Sequence, residues 1–366
     1  MSTAIRVRPE APGAGPDETA VTAVAVAPDR RSGRRLAARA LGLLACTGLL
    51  LVIVLLSLRI GSIDVTTTDA WNGLFRYQPS NYQQTVVRTL RLPRTLIGLC
   101  VGAALGVAGA VMQAATRNPL AGPSILGVSS GAAFAIVTAV FFGKLTAPLQ
   151  YVWFAFAGAT VASVLVYGVG SLGAGGASPV KLALAGAVVS ALLGAWTTAL
   201  LLYSQQTLDV VRFWLAGSLA GRSLTVLGAV LPFIGVGLLG SLLFGHQLNV
   251  LSLGDDTARA LGMHTGRVRG ACAALVVLLT GAAVAAAGPI AFVGLAVPHL
   301  VRGVVGPDYR WVLPYAVVLG PALLLAADIL GRVLARPAEL QVGIVTAICG
   351  APFLIYLARR RRVAEL

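Results

Sequence analysis

Charge is scarce in this sequence. Only 11% of its 366 residues are Asp, Glu, Lys or Arg, and the 13 acids are outnumbered by 28 Lys and Arg. Soluble domains carry roughly a quarter charged residues. With 57% hydrophobic residues and a mean hydropathy of +0.85, the chain holds more apolar surface than one soluble core can bury. The class is therefore an all-α polytopic membrane protein. Cysteine is equally sparse. Cys46, Cys100, Cys272 and Cys349 stand singly in apolar stretches, with no CxxC or Cys/His cluster. They read as small buried hydrophobes, so neither a disulfide nor a metal site is expected. No basic groove is interleaved with aromatics, so the net charge of +15 suits an anionic lipid leaflet and excludes nucleic acid. No stretch matches G-x-x-x-x-G-K-[ST], so the chain has no phosphate-cradling loop, binds no cofactor, and leaves any ATP-Mg to another polypeptide. Midplane acids are almost missing, which argues against a proton- or sodium-driven secondary transporter. A channel would need a repeated selectivity loop or a charged ring, and neither is present.

What is there is a succession of apolar runs. Ten are bounded by Gly, Pro and charge, at about 38–59, 94–115, 123–143, 149–171, 181–203, 223–244, 268–288, 290–302, 311–334 and 340–358. Most reach the 17 to 25 residues a helix needs to cross about 30 Å of hydrocarbon. The eighth has thirteen residues and contains Pro298, so it spans only about 20 Å. Such a helix survives at membrane depth only when covered by protein or lining a cavity. Alternatively, segments seven and eight form one kinked span, which reverses the topology after them. Residues 1–35 lack a helical apolar period and read as a disordered basic cytoplasmic tail, leaving 36–366 as the transmembrane domain. "LLAC" loosely suggests a lipidation box. Its apolar run continues past Cys46 to Leu58, however, which fits a first transmembrane helix. Arg30, Arg31, Arg34, Arg35 and Arg39 at one terminus and "ARRRRVAEL" at the other place both ends in the cytoplasm. Ten spans satisfy that orientation.

On this map a group of arginines lies on the outer side, against the usual bias. Arg76, Arg88, Arg91 and Arg94 precede the second span, and Arg332 and Arg336 close the ninth. Basic residues retained there suggest an acidic partner, because a guanidinium matches a carboxylate as a two-pronged donor. For Arg76 and Arg88 we favour headgroup anchoring. Asp328 lies four residues before Arg332 on one helix face and reads as its counter-ion.

Three blocks carry a wider resemblance. "RLPRTLIGLCVGAALGVAGAVMQAATRNPLAGPSILGVSSGAA", "GPIAFVGLAVPHLVR" and "AELQVGIVTAICGAPFLIYL" fall in order across nearly everything after residue 36. They resemble permease subunits of binding-protein-dependent ABC importers for ferric siderophores, haem and vitamin B12. The resemblance implies about ten helices per subunit and a dimer with a second permease copy or paralogue on two ABC ATPase subunits. It also implies an extracytoplasmic substrate-binding protein, which Arg91, Arg94 and Arg332, steadied by Asp328, would receive through its glutamates.

The stretch "LSLGDDTARALGMHTGRVRG" between spans six and seven is the candidate for meeting the ATPase. Asp255 and Asp256 after Gly254 suit a helix first turn, Gly262 suits its C-terminal stop, and Thr265 suits the next cap. The resemblance makes about 252–268 coupling helices, with Asp255, Asp256, Arg259, Leu261 and Gly262 as contact residues. His246 and His264 flank this stretch as surface residues. Gly186, Ser190, Gly194 and Thr198 recur every four residues in span five, and Gly98, Gly102, Gly106 and Ala110 do so in span two. Small faces permit close helix approach. The resemblance adds a translocation path along span five, with Ser178 and Pro179 at its inner gate. Asn118 and Pro119 read as structural, and His299 as a packed residue.

Overall fold

The computed structural model describes residues 30–145, 147–172 and 179–359. Most of the N-terminal tail, Ser178 and the last arginines lie outside the described residues. The chain opens with α1 (Arg30–Arg59), which starts earlier than expected. Two short helices follow, α2 (Thr67–Phe75) and α3 (Tyr82–Val86). A π turn over Val87–Arg91 then joins α3 to α4 (Leu92–Thr116). A 3-10 turn at Pro123–Leu126 leads into α5 (Val128–Gly143), and then come α6 (Pro148–Ser171), α7 (Pro179–Tyr203) and α8 (Gln205–Leu215). The remainder is α9 (Leu224–Leu243), α10 (Gly245–Ser252), α11 (Asp255–Ala260), α12 (Thr265–Ala287), α13 (Val293–Val305), α14 (Tyr309–Leu334) and α15 (Val342–Arg359). No strand occurs among the described residues.

Seven helical stretches are long and apolar enough to cross a membrane, and three shorter apolar helices at Val128–Gly143, Val293–Val305 and Val342–Ile355 accompany them. Together they correspond to the ten expected segments. Five short helices fall outside the apolar count, α2, α3, α8, α10 and α11, and the first three of these start from polar caps. Thr66, Asn81 and Ser204 each accept a backbone N–H of the following first turn through the side chain. Hydropathy registers apolar runs and passes over such helices.

Segments seven and eight are two helices. Gly288, at φ +78°, and Phe292, at φ +68°, break the chain between them. The start of α12 pairs with α11 through Arg269 and Asp255, whereas the end of α13 returns to the same end of the bundle, where Arg302 donates to Gln113 Oε1 at 2.6 Å. Between these points Gly294 meets α4 near Gly109, at mid-depth. The thirteen residues of α13, about 20 Å long, therefore fall short of a core of about 30 Å, and protein covers their irregular start.

The helix α4 is the axis of the bundle, buried along nearly its whole length. Its glycine face is used for contact between backbones. A Cβ on Gly102 would stand 2.5 Å from Pro321 Cα, and one on Gly109 would stand 1.7 Å from the Gly294 carbonyl oxygen. Neither contact leaves room for a methyl group, so α14 and α13 approach α4 as closely as helices can. The N-terminal part of α1 packs on α14, where Tyr315 Oη donates to the Arg39 carbonyl at 2.6 Å. Cys272 is buried and Cys46 and Cys100 are half-buried, but Cys349 is exposed on α15, which corrects the expectation that all four are interior.

Candidate functional site

Two polar constellations lie at opposite ends of the bundle. At one, here called the arginine end, α1 finishes at Arg59 and leaves its last carbonyl groups without helical partners. Arginines from two other helices satisfy them. Arg332 Nη1 donates to the carbonyls of Ser57 at 2.8 Å and Ile60 at 3.0 Å. Arg91 Nη1 donates to Leu58 at 2.9 Å and also to Arg59, while its Nη2 donates to Ile63. Cations at a helix C-terminus also match its dipole. Arg336 adds a bond to the Gly61 carbonyl at 2.8 Å.

Asp328 stands in the middle of this cluster, fully buried. It accepts Arg94 Nε at 3.0 Å and Nη2 at 2.8 Å, and Arg332 Nε at 3.0 Å and Nη2. The second acid is Glu339, on the connection between α14 and α15. One of its oxygens accepts Arg94 Nη1 at 2.5 Å and the other accepts the Ser62 hydroxyl at 3.0 Å. Burial alone would raise the Glu339 pKa, but the hydrogen bond and charge of Arg94 outweigh it and hold the carboxyl below its ordinary value. Two guanidiniums, Arg94 and Arg332, therefore share two carboxylates, with Arg91 on backbone carbonyls beside them, around a cavity of about 160 Å³ lined by Gly61, Ser62, Arg91, Arg94, Arg332 and Glu339.

In this geometry the three arginines are engaged within the protein. Arg91, Arg94 and Arg332 are 5%, 8% and 1% exposed, because the end of α1 and the two acids engage their nitrogens. Arg76 and Arg88 are exposed, and Arg88 stacks over the Tyr77 ring at 4.6 Å. The sequence reading missed Glu339 as a member of the site. The signal was available, since it is the one acid in the segment joining the last two spans.

At the other end, here called the loop end, α10 and α11 join α9 to α12. Gly254, at φ +107°, turns the chain into α11, and Asp255 and Asp256 occupy the first turn. Gly262, at φ +79°, terminates it, with the Met263 amide donating back to Ala258 at 2.9 Å. Thr265 is the first residue of α12 and does not cap it, because His264 holds the cap position without a side-chain bond. Asp255 is tied inward by Arg269 at 2.9 and 3.1 Å, with Arg117, at the end of α4, 3.8 Å away. Asp256, Arg259, Leu261 and Gly262 are exposed. Leu253 and Leu261, at 62% and 63% exposure, give this surface an apolar component. Behind it, Asn249 bonds Asp308 at 2.7 Å and the Tyr309 amide at 2.8 Å, and exposed His246 meets Arg310 at 2.9 Å.

The four small residues of span five do not form one open face. Gly186 is buried, where a Cβ would meet the Ile125 carbonyl at 1.8 Å. Ser190 and Gly194 are half-buried, and only Thr198 is exposed. Pro179 begins α7, beside the undescribed Ser178. The exposed ridge of α7 is instead aliphatic and aromatic, with Val180, Leu184, Val188, Leu192 and Trp196 at four-residue steps. A separate cavity of about 420 Å³ lies at mid-depth between the 3-10 turn and the break before α13, lined in part by Ser124, Ser129, Thr280, Pro289 and Phe292. Asn118 shapes the turn after α4 by accepting the Leu120 amide at 2.9 Å, and His299 packs edge-on against Phe353.

Ten apolar helices around a buried axis, with a closed polar cluster at one end and an exposed helical elbow at the other, define a multi-pass membrane protein of the transport class. Residues 49–360 match the FecCD transport family, and the chain belongs to it. It is 43% identical over 312 residues to the probable siderophore transport system permease protein YfiZ of Bacillus subtilis, covering 85% of this chain and 93% of that one. It is 46% identical over 325 residues to the ferric enterobactin transport system permease protein FepD of Escherichia coli, covering 87% and 96%. Among solved structures it is similar to an inward-facing transporter assigned to the metal-chelate ABC type, at 32% identity and a TM-score of 0.76, covering 87% of this chain and 98% of that one.

Proposed function

We propose that this chain is the permease subunit of an ABC importer in the plasma membrane that takes a ferric siderophore from an extracytoplasmic binding protein and passes it inward. Both termini are cytoplasmic, so the arginine end faces outward and the loop end faces the cytoplasm. Separate ATPase subunits hold ATP-Mg and hydrolyse it. A second permease copy or paralogue completes the passage, and the apolar ridge of α7 suits that contact or lipid. What carries the substrate assignment is similarity to two siderophore permeases, at 43% and 46% identity over 85% and 87% of this chain.

The geometry supports the division of labour. The loop end offers Asp256, Arg259, Leu261 and Gly262 outward on a short helix braced from behind by Asp255 and Arg269. That is the form of a part pushed by another protein. The arginine end offers a cavity with an excess of guanidinium charge, which suits an arriving carboxylate. The mid-depth cavity is mostly apolar with a few hydroxyls, and Thr280 Oγ1 has no partner there. Such a lining holds a bulky chelate weakly enough to release it.

Labelled uptake tests the substrate. In a strain lacking this gene, restored chain should recover iron uptake from one or more ferric siderophores, with haem and cobalamin tested side by side. Recovery of cobalamin or haem uptake alone would overturn the siderophore assignment. In vesicles loaded with ATP, uptake should also survive an uncoupler, and its loss would overturn the ATP-driven reading.

A further inference from the structure

The two acids of the arginine end are not equivalent. Asp328 has no exposed side-chain surface, belongs to α14, and is shared by two arginines. The Glu339 side chain is 29% exposed, and its other oxygen is held by a single serine hydroxyl at the surface. It lies on the connection between α14 and α15, outside either helix, and it borders the 160 Å³ cavity that Arg91, Arg94 and Arg332 also line.

We propose that Glu339 is a resident stand-in for the carboxylate the binding protein brings: it occupies Arg94 while the permease is free, and docking exchanges it for the partner's acid. The inference rests on the docking role proposed above. Its physical basis is the cost of an unpaired buried charge. A guanidinium stripped of its acid inside a protein is strongly destabilised. Exchange of one carboxylate for another never exposes Arg94 to that cost, because Asp328 holds Nε and Nη2 throughout and only the Nη1 partner changes. The arrangement also lowers apparent docking affinity to the fraction of time that Glu339 leaves its place vacant. Occupancy of about nine-tenths lowers apparent affinity about tenfold. A free permease would therefore keep its outer end closed, and a weak or incorrect partner would fail to displace the resident acid.

The test uses the permease assembled with its ATPase subunits in nanodiscs and the binding protein that supports uptake in the strain assay. Docking affinity is compared for the wild type, Glu339→Gln, Glu339→Asp and Arg94→Glu. Removing the competitor should tighten docking about tenfold in Glu339→Gln. The shorter Glu339→Asp, still charged but drawn back from Arg94, should give a smaller gain. A purely structural Glu339 gives the opposite sign, since a loosened outer end weakens docking. Unchanged or weaker docking in both Glu339 variants, alongside loss of docking in Arg94→Glu, would overturn the stand-in and leave the docking role intact. Unchanged docking in Arg94→Glu would overturn the docking role itself.

Discussion

The two ends of this permease treat charge in opposite ways. At the arginine end, buried groups from α1, α4, α14 and the following connection close on one another, and Asp328 serves two arginines at once. At the loop end, the comparable acid, Asp255, keeps 24% of its side chain exposed, and its neighbours along α11 face outward. The first arrangement locks helices together. The second braces a short helix from behind and leaves its outer face uncovered.

The comparison is broken most severely by removing the shared acid. Asp328→Ala would leave Arg94 and Arg332 buried with an excess of positive charge, and should cost about 3–5 kcal/mol. The melting temperature of the detergent-solubilised protein should fall sharply. Wild-type stability would mean that water enters the cluster freely. Next is the axis connecting the ends. Gly109→Val would force α13 away from α4 and should destabilise by about 1–3 kcal/mol, with uptake falling in parallel. Unaltered uptake would show that this contact has slack.

The loop end should respond differently. Asp255→Asn weakens an ion pair whose side chains are 18% and 24% exposed but leaves an amide oxygen to accept from Arg269, so stability should fall by only about 1 kcal/mol. Uptake should nevertheless fall several-fold while the ATPase partner still binds and hydrolyses ATP. Equal loss of hydrolysis and uptake would make Asp255 an assembly residue instead. The smallest effect is expected from Arg88→Ala. It removes an exposed cation over Tyr77, worth about 0.5–1 kcal/mol, and should leave docking affinity within twofold of the wild type. A larger loss would extend the docking surface beyond the buried cluster.

The sequence made the spans legible because hydropathy and helix length constrain a membrane segment tightly. Even the short α13 followed from a mostly apolar run of thirteen residues that contains a proline. The pairing of Asp328 with Arg332 followed from helical spacing. What escaped were relations between distant segments. Nothing near Arg94 in the chain says that Glu339, 245 residues away, meets its Nη1. Nor does the four-residue spacing in α7 reveal that Gly186 would face the Ile125 carbonyl and not an open passage. Small residues serve packing and pathways alike, so spacing alone does not separate the two. Burial of the arginines was hidden for a related reason: the acceptors are backbone carbonyls at the end of α1, and any sequence supplies those.

Arg94 and Arg117 mark the two limits of one rod. From its first turn to its last, α4 contains 25 residues, a length of roughly 38 Å. A tilt of about one degree pivoting at Arg94 would sweep the far tip by roughly 0.7 Å. With Gly102 and Gly109 pressed against the backbones of α14 and α13, the rod has no freedom to slide, and its neighbours must swing with it. Those glycine contacts thus bind α4, α13 and α14 into one body, so that a displacement of any one of them is carried by the other two.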